Sequence, residues 1–345
     1  MPSPRCRRVC PLAWGLLLAI LAAALPAVAL AQTGAADGCS AGSPCAERSS
    51  RLAAWLDSRV EGGDFGFLLV DTRGWALASW RTGEGFYPAS SIKVLYLLQA
   101  MRWAAAQEDL ESALGTLVPV DTEPCGGGPA RGESLDSVLG AMMRQSDNLR
   151  ANAVGDFFGL EAINQTAHEL GGVSPGSVVA HRFACGGPAN DPPNRMTAAD
   201  LAEVYRRFGA GALLDPPAAD RFASYFLDAG MGILDAVIAE ESAALGRPDL
   251  AAPFRSGIDL VYKAGWWETD LSVGGYAALP WRGCGGRHER GLAFALFVSE
   301  ADAVAPGFEA TAMVGEVLRD EIRTALFTLS LPTHTCRPIW GPFPD

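Results

Sequence analysis

Apolar residues in this chain change their spacing twice along its length, and that change limits the folds open to it. Residues 65–70 and 75–80 alternate as strands do, joined by a turn at Asp71-Thr72-Arg73-Gly74. From about Ser90 the spacing becomes helical, in segments 90–106, 134–145, 149–158, 160–171, 197–208 and 217–228. Strand spacing returns at 259–263, 271–279 and 292–299, and helices at 47–60 and 308–326 flank the whole. Strands from both ends are expected to join one antiparallel sheet, with the first and last helices on one face. The fold class is therefore α+β, a sheet lobe (about 47–88 and 256–332) beside an all-helical lobe (about 89–255). A cleft between two such lobes is where ligand sites gather.

What precedes residue 47 reads differently. Arg5, Arg7 and Arg8 stand before an uncharged apolar run at 12–30, and Ala29-Leu30-Ala31 has the small-x-small form of a cleavage site. Residues 1–31 are expected to be a signal peptide, and 32–46 a flexible leader rich in Ala, Gly and Ser. The run is almost long enough to span a bilayer, so a retained anchor is the alternative; Pro26, just ahead of the site, favours cleavage. Export to the periplasm or medium is thus expected, with no membrane contact after cleavage. The cleaved chain would carry 24 basic and 39 acidic side chains. Such a surface repels nucleic acid. Six cysteines survive cleavage (Cys39, Cys45, Cys125, Cys185, Cys284 and Cys336), and an even number in an exported chain favours disulfides. No C-x-x-C pair occurs and the four histidines are scattered, so neither metal nor cofactor is expected.

Of the 27 basic residues, 25 are arginine; only Lys93 and Lys263 are lysine. Lysine, unlike arginine, can lose its proton when its surroundings lower its pKa, and each of the two lies in a short motif. In Ser90-Ser91-Ile92-Lys93, Ser90 and Lys93 are three residues apart and share a helix face. A serine hydroxyl needs a neighbouring base to become a nucleophile, and burial beside Ile92, Leu95 and Leu97 would make Lys93 that base. By itself the motif also fits a helix cap followed by a surface lysine. Ser146-Asp147-Asn148 lies between two helices, where Asp147 can cap the second. Asn152 follows one turn later on the same face. Lys263-Ala264-Gly265 lies on a strand, so Lys263 and Gly265 point the same way. The N–H of Trp266 could then join that of Ser90 as an oxyanion hole.

Taken together, S-x-x-K, S-D-N and K-A-G resemble the S-x-x-K, S-D-N and K-T-G signature of class A β-lactamases and penicillin-binding proteins. P-A-S-S-I-K-V-L and S-D-N-L-R-A-N are especially similar to class A, and the resemblance covers roughly 48–330. It implies the serine β-lactamase/transpeptidase fold, a three-layer α/β/α arrangement with a five-stranded antiparallel sheet, as one catalytic domain over 47–345. It also implies Ser90 as acylated nucleophile, Lys93 as base and Ser146 as proton shuttle to the leaving nitrogen. Asn148 would hold the substrate amide and Lys263 the substrate carboxylate. In the resemblance, Arg182 and Asp191 form an ion pair at the base of a loop that in class A carries the glutamate freeing the acyl-enzyme; here Ala184 stands in the glutamate's place. Ala264 lacks a hydroxyl for the carboxylate, and Ser272 takes the place of a second cation. Cys125 and Cys185 lie in loops that flank the cleft on this fold, and Cys284 and Cys336 at ends that should be neighbours. Two candidate disulfides follow, with Cys39 and Cys45 left over.

The expectation is an exported, monomeric serine hydrolase that forms an acyl-enzyme with a β-lactam or a peptidoglycan stem peptide and turns β-lactams over weakly. The alternatives are a D,D-peptidase or esterase of the cell wall, and a non-catalytic wall- or ligand-binding protein on the same scaffold. The two G-x-S-x-G strings, at 38–42 and 172–176, follow no strand, so neither reads as the strand-to-helix elbow of an α/β-hydrolase.

Overall fold

The computed structural model describes residues 39–185, 193–226, 230–283, 286–299 and 301–331. The expected signal peptide, Asp191, Cys284 and Cys336 lie outside the described residues. Five strands, β1 (Asp64–Asp71), β2 (Ala76–Trp80), β3 (Asp259–Trp267), β4 (Asp270–Gly283) and β5 (Gly286–Ser299), form one antiparallel sheet in the order β2-β1-β5-β4-β3. The expected α+β fold with its five-stranded sheet is present.

The central strand shows why the sheet is covered on both faces. Along β5, Ala293, Ala295 and Phe297 enter one core, while Leu292, Phe294, Leu296 and Val298 enter the other. Side chains alternate faces along a strand, so an unbroken apolar run is the mark of a strand buried on both sides.

The helices that bear on the site are α1 (Pro44–Asp57), α2 (Lys93–Ala105), α3 (Leu135–Arg144), α4 (Asn148–Phe158), α5 (Ala198–Gly209), α6 (Gly230–Ala244) and α7 (Ala310–Ser330). On one sheet face α1 packs with α7 through Leu52, Leu56, Val314, Leu318 and Ile322. Helix α1 starts three residues before 47. Ser43 accepts a 3.2 Å hydrogen bond from the Ala46 N–H, Pro44 fits the first helical turn, and a Cys39–Cys45 disulfide ties the segment down. The end of the expected leader is therefore ordered.

A second correction concerns the helical lobe. Leu234, Val237 and Ile238 of α6, with Phe254, share the core of α1 and α7. Residues 230–255 thus belong to the sheet lobe and not, as expected, to the helical one. On the opposite face α5 lies against β4, where a Cβ at Gly274 would stand 2.6 Å from the Leu201 side chain. Beyond it α2 forms the axis of the helical lobe. Residues Val94 to Leu98, Ala100, Met101 and Ala104 are all buried, as expected for a helix that is apolar all round.

Candidate active site

Ser90 does not begin the α-helix itself. It sits in a 3₁₀ turn, Ala89–Ile92, that leads into α2 at Lys93. Three donors converge on the Pro88 carbonyl: the Ser91 N–H at 3.0 Å, the Ser91 hydroxyl at 2.8 Å and the Ser272 hydroxyl at 2.6 Å. Together they draw this carbonyl into the tight i→i+3 turn. Ser272 is fully buried in that contact, so it does not take the place of a carboxylate-binding cation. Ala89, next to the serine, holds a left-handed φ of 42°. Such backbone is sparsely populated by non-glycine residues and collects at functional sites.

β3 lies directly against this turn. A Cβ at Gly265 would stand 2.5 Å from the Ser90 nitrogen and 2.8 Å from the Ser91 nitrogen. Glycine is thus required here for the close approach of two backbones, in addition to any space it leaves for substrate. Ala264 points the other way, into the core of α1 and α7. Trp266 and Trp267 are both solvent-exposed, and the Trp266 indole N–H donates to the Glu268 carbonyl. By strand alternation Trp267 is on the face of Lys263 and Gly265, and Trp266 on the opposite face. Neither ring is packed away.

The three motifs meet at Ser146. Its φ of 57° is left-handed, and its hydroxyl lies 3.0 Å from Lys263 Nζ and 3.4 Å from Lys93 Nζ. Lys93 also donates to the Ser146 carbonyl at 2.6 Å and to Asn148 Oδ1 at 2.7 Å. Lys263 also donates to the Ala264 carbonyl at 2.8 Å. Asp147 caps α4, accepting from the Arg150 N–H at 2.9 Å and from its guanidinium at 2.8 Å, while Ser146 and Asn148 face the amines.

Among the described residues no hydrogen bond joins Ser90 to Lys93. The direct contact expected from their i, i+3 spacing is replaced, in the resting site, by the turn of Lys93 toward Ser146 and Asn148. Two carbonyl oxygens there offer a buried amine better acceptors than one half-buried hydroxyl.

Both amines are buried and both are easily deprotonated. Burial, then the nearby Lys263, lowers the Lys93 pKa from 10.5 to about 6, against an opposing pull from Asp147. Burial lowers Lys263 to about 8. Between these values Lys93 is neutral and Lys263 charged. A neutral amine has two N–H donors and one lone pair. The Ser146 carbonyl and Asn148 take the two donors, so the contact with the Ser146 hydroxyl at 3.4 Å is made by the lone pair, as a proton acceptor.

The loop after the helical block presents Phe183 to Lys93, not Ala184. The Phe183 ring centroid is 4.7 Å from Lys93 Nζ, while Ala184 is exposed with a φ of 52°. The side chain that this loop turns toward Lys93 is therefore the one before Ala184, and it is apolar. An aromatic face attracts an ammonium by about 0.5–2 kcal/mol, and one pH unit is worth ~1.4 kcal/mol. The ring alone would raise the pKa of Lys93 by about one unit, in opposition to burial, the largest cause of its lowering.

Asn152 holds this loop. Its amide oxygen accepts from the Phe183 N–H at 2.7 Å, and its amide nitrogen donates to the Phe183 carbonyl at 3.0 Å and to the Pro124 carbonyl at 2.9 Å. Arg182 donates to the same Pro124 carbonyl at 3.0 Å and pairs with Asp156 on α4. Its expected partner Asp191 lies outside the described residues. A Cys125–Cys185 disulfide, with Cα atoms 4.9 Å apart, joins the two loops as expected. Sequence reasoning missed Phe183, Pro124 and Asp156; the one pointer to Phe183 was its place beside Arg182.

A model described as the β-lactamase enzyme family matches residues 47–229. Among solved structures, a β-lactamase from Sphaerobacter thermophilus is 18% identical with a TM-score of 0.60, covering 83% of this chain and 98% of that one. A class A β-lactamase from Mycobacterium abscessus is 16% identical with a TM-score of 0.58, covering 80% and 98%. A mutant of PBP-A, solved as an acyl-enzyme complex with penicillin G, is 18% identical with a TM-score of 0.56, covering 82% and 96%. Comparison with curated proteins finds no match.

Proposed function

The chain belongs to the β-lactamase enzyme family, as a class A-like serine hydrolase, and from that premise we propose that it acylates Ser90 with β-lactam or peptidoglycan-peptide carbonyls and releases the acyl group slowly. One observation carries this reading: two buried lysine amines meet at a single serine hydroxyl, Ser146, and one of them, Lys93, lies three residues after a second serine, Ser90. Neutral Lys93 takes the Ser90 proton as the hydroxyl attacks. Ser90 and Lys93 share a helix face, and catalytic hydrogen bonds often tighten only once substrate is bound. Ser146 carries that proton to the leaving nitrogen while the charged Lys263 attracts the substrate carboxylate. The N–H groups of Ser90 and Trp266 receive the developing oxyanion.

Slow release follows from Phe183. A water attacking the acyl-enzyme needs a base, and the loop offers Lys93 an apolar ring there. This favours a penicillin-binding or D,D-peptidase role over efficient β-lactam hydrolysis. Export belongs to the same proposal, since cell-wall peptides lie outside the cytoplasm and the two disulfides suit an oxidising compartment.

The test is to mix the purified protein with a fluorescent penicillin and follow its intact mass. A single adduct that forms quickly and persists supports the proposal. Rapid loss of the adduct would indicate an efficient lactamase. No adduct, with wild type and Ser90→Ala alike, would leave a binding protein.

A further inference from the structure

The Lys93 amine is walled on one side by a loop that meets its own helix at the Tyr96 ring, 5.6 Å from that of Phe183, and whose backbone is fixed from other elements. Phe183 covers it, and the polar atoms that fix the Phe183 backbone belong to Asn152 of α4. Asn152 and Arg182 both donate to the Pro124 carbonyl. Pro124 precedes Cys125, and Cys185 follows Phe183 by two residues, so the disulfide closes a ring of contacts around the Phe183 backbone. Cys125 is itself solvent-exposed, so the covalent tie lies at the outer edge of this ring and the aromatic face at its inner edge.

We propose that the Cys125–Cys185 disulfide is a positioning device for the reaction: it holds Phe183 over Lys93, and this closed loop keeps water from the amine that accepts the Ser90 proton. The inference rests on Lys93 being the base, but its consequence is a property of the resting protein. The charged groups that act on Lys93 are Lys263 from β3 and Asp147 from the turn before α4. Asp156 of α4 and Arg182 of the loop pair with each other near Tyr96, which lies one turn beyond Lys93 on α2. Lys263, Asp147 and Asp156 lie on other elements, whereas Phe183 and Arg182 are two and three residues from Cys185. Loosening the loop therefore admits water to Lys93 while Lys263, held in β3, keeps its surroundings.

The chain has only two lysines, so lysine labelled with ¹³C at the ε carbon gives two resonances, assigned with Lys263→Arg. In wild type the Lys93 midpoint is expected near 6 and that of Lys263 near 8. In Cys125→Ser/Cys185→Ser the Lys93 midpoint rises by about one pH unit or more, with Lys263 moving less. Phe183→Ala, with the disulfide intact, moves Lys93 in the same direction, and Cys39→Ser/Cys45→Ser moves neither lysine. Should the double serine variant not fold, the same rise on mild reduction of folded Cys39→Ser/Cys45→Ser, in which Cys125–Cys185 is the remaining disulfide among the described residues, is the expected result, and an unmoved Lys93 midpoint after that bond is reduced overturns the inference. An unchanged Lys93 midpoint in folded variants overturns the inference. Absence of a penicillin adduct on a protein whose Lys93 still titrates in this way would instead count against the proposed function.

Discussion

Lys263 donates a 3.0 Å hydrogen bond to the Ser146 hydroxyl. This places a cation on the very group proposed to return a proton to the leaving nitrogen. Replacing Ser146 with Ala removes that relay but leaves both amines buried. Acylation by penicillin, followed by stopped-flow fluorescence, is expected to slow ~10²–10⁴-fold, the usual contribution of a positioned acid or base. An unchanged rate would take Ser146 out of the mechanism.

The two lysines set the pH dependence. Lys93 must be neutral and Lys263 charged, so the acylation rate should rise as pH passes about 6 and fall above about 8. Lys93→Arg keeps a cation that does not deprotonate in proteins, and is expected to abolish acylation at every pH. Rates that are flat from pH 5 to 9, or activity in the arginine variant, would contradict this.

Stability carries the same signature with its own sign. An unfolded lysine binds its proton below 10.5, but folded Lys93 does so only below about 6. Across that window the unfolded state holds more protons, so stability rises with pH. Urea midpoints should therefore increase from pH 6 to 9 in wild type and less steeply in Lys93→Met. Parallel curves for the two proteins would show that the amine is not held neutral by the fold.

Much of this arrangement is visible in the one-dimensional pattern, because the determinants are local. Period-two and period-3.6 runs decide strand and helix, and short spacings place Ser90 with Lys93 and Lys263 with Gly265 on common faces. Contacts between distant segments are not local. The turn of Lys93 toward Ser146 and Asn148 depends on α4 arriving with two carbonyl oxygens aimed at the amine. The loop around Phe183 has no repeating pattern, and only the clamp of Asn152 reveals which side chain points inward. Helix α6 does not gather its apolar residues on one face, which hid both the helix and its place beside α7.

Phe183 also offers a gain-of-function test. Phe183→Glu places a carboxylate where the ring now faces Lys93. The penicillin adduct should then be lost ~10²–10⁴ times faster, as expected when a general base is supplied. Intact mass against time measures it, and an adduct as persistent as in wild type would show that release is limited elsewhere.

The most direct test of the account is the position of the adduct. Trypsin cuts after Arg81 and Lys93, so the peptide between them carries Ser90 together with Ser91, whose hydroxyl is buried against the Pro88 carbonyl. After brief treatment with penicillin, fragmentation of this peptide is predicted to place the acyl group on Ser90, with no adduct in Ser90→Ala. An adduct on Ser91, on Ser146 or outside this peptide, or one that survives in Ser90→Ala, would contradict the account.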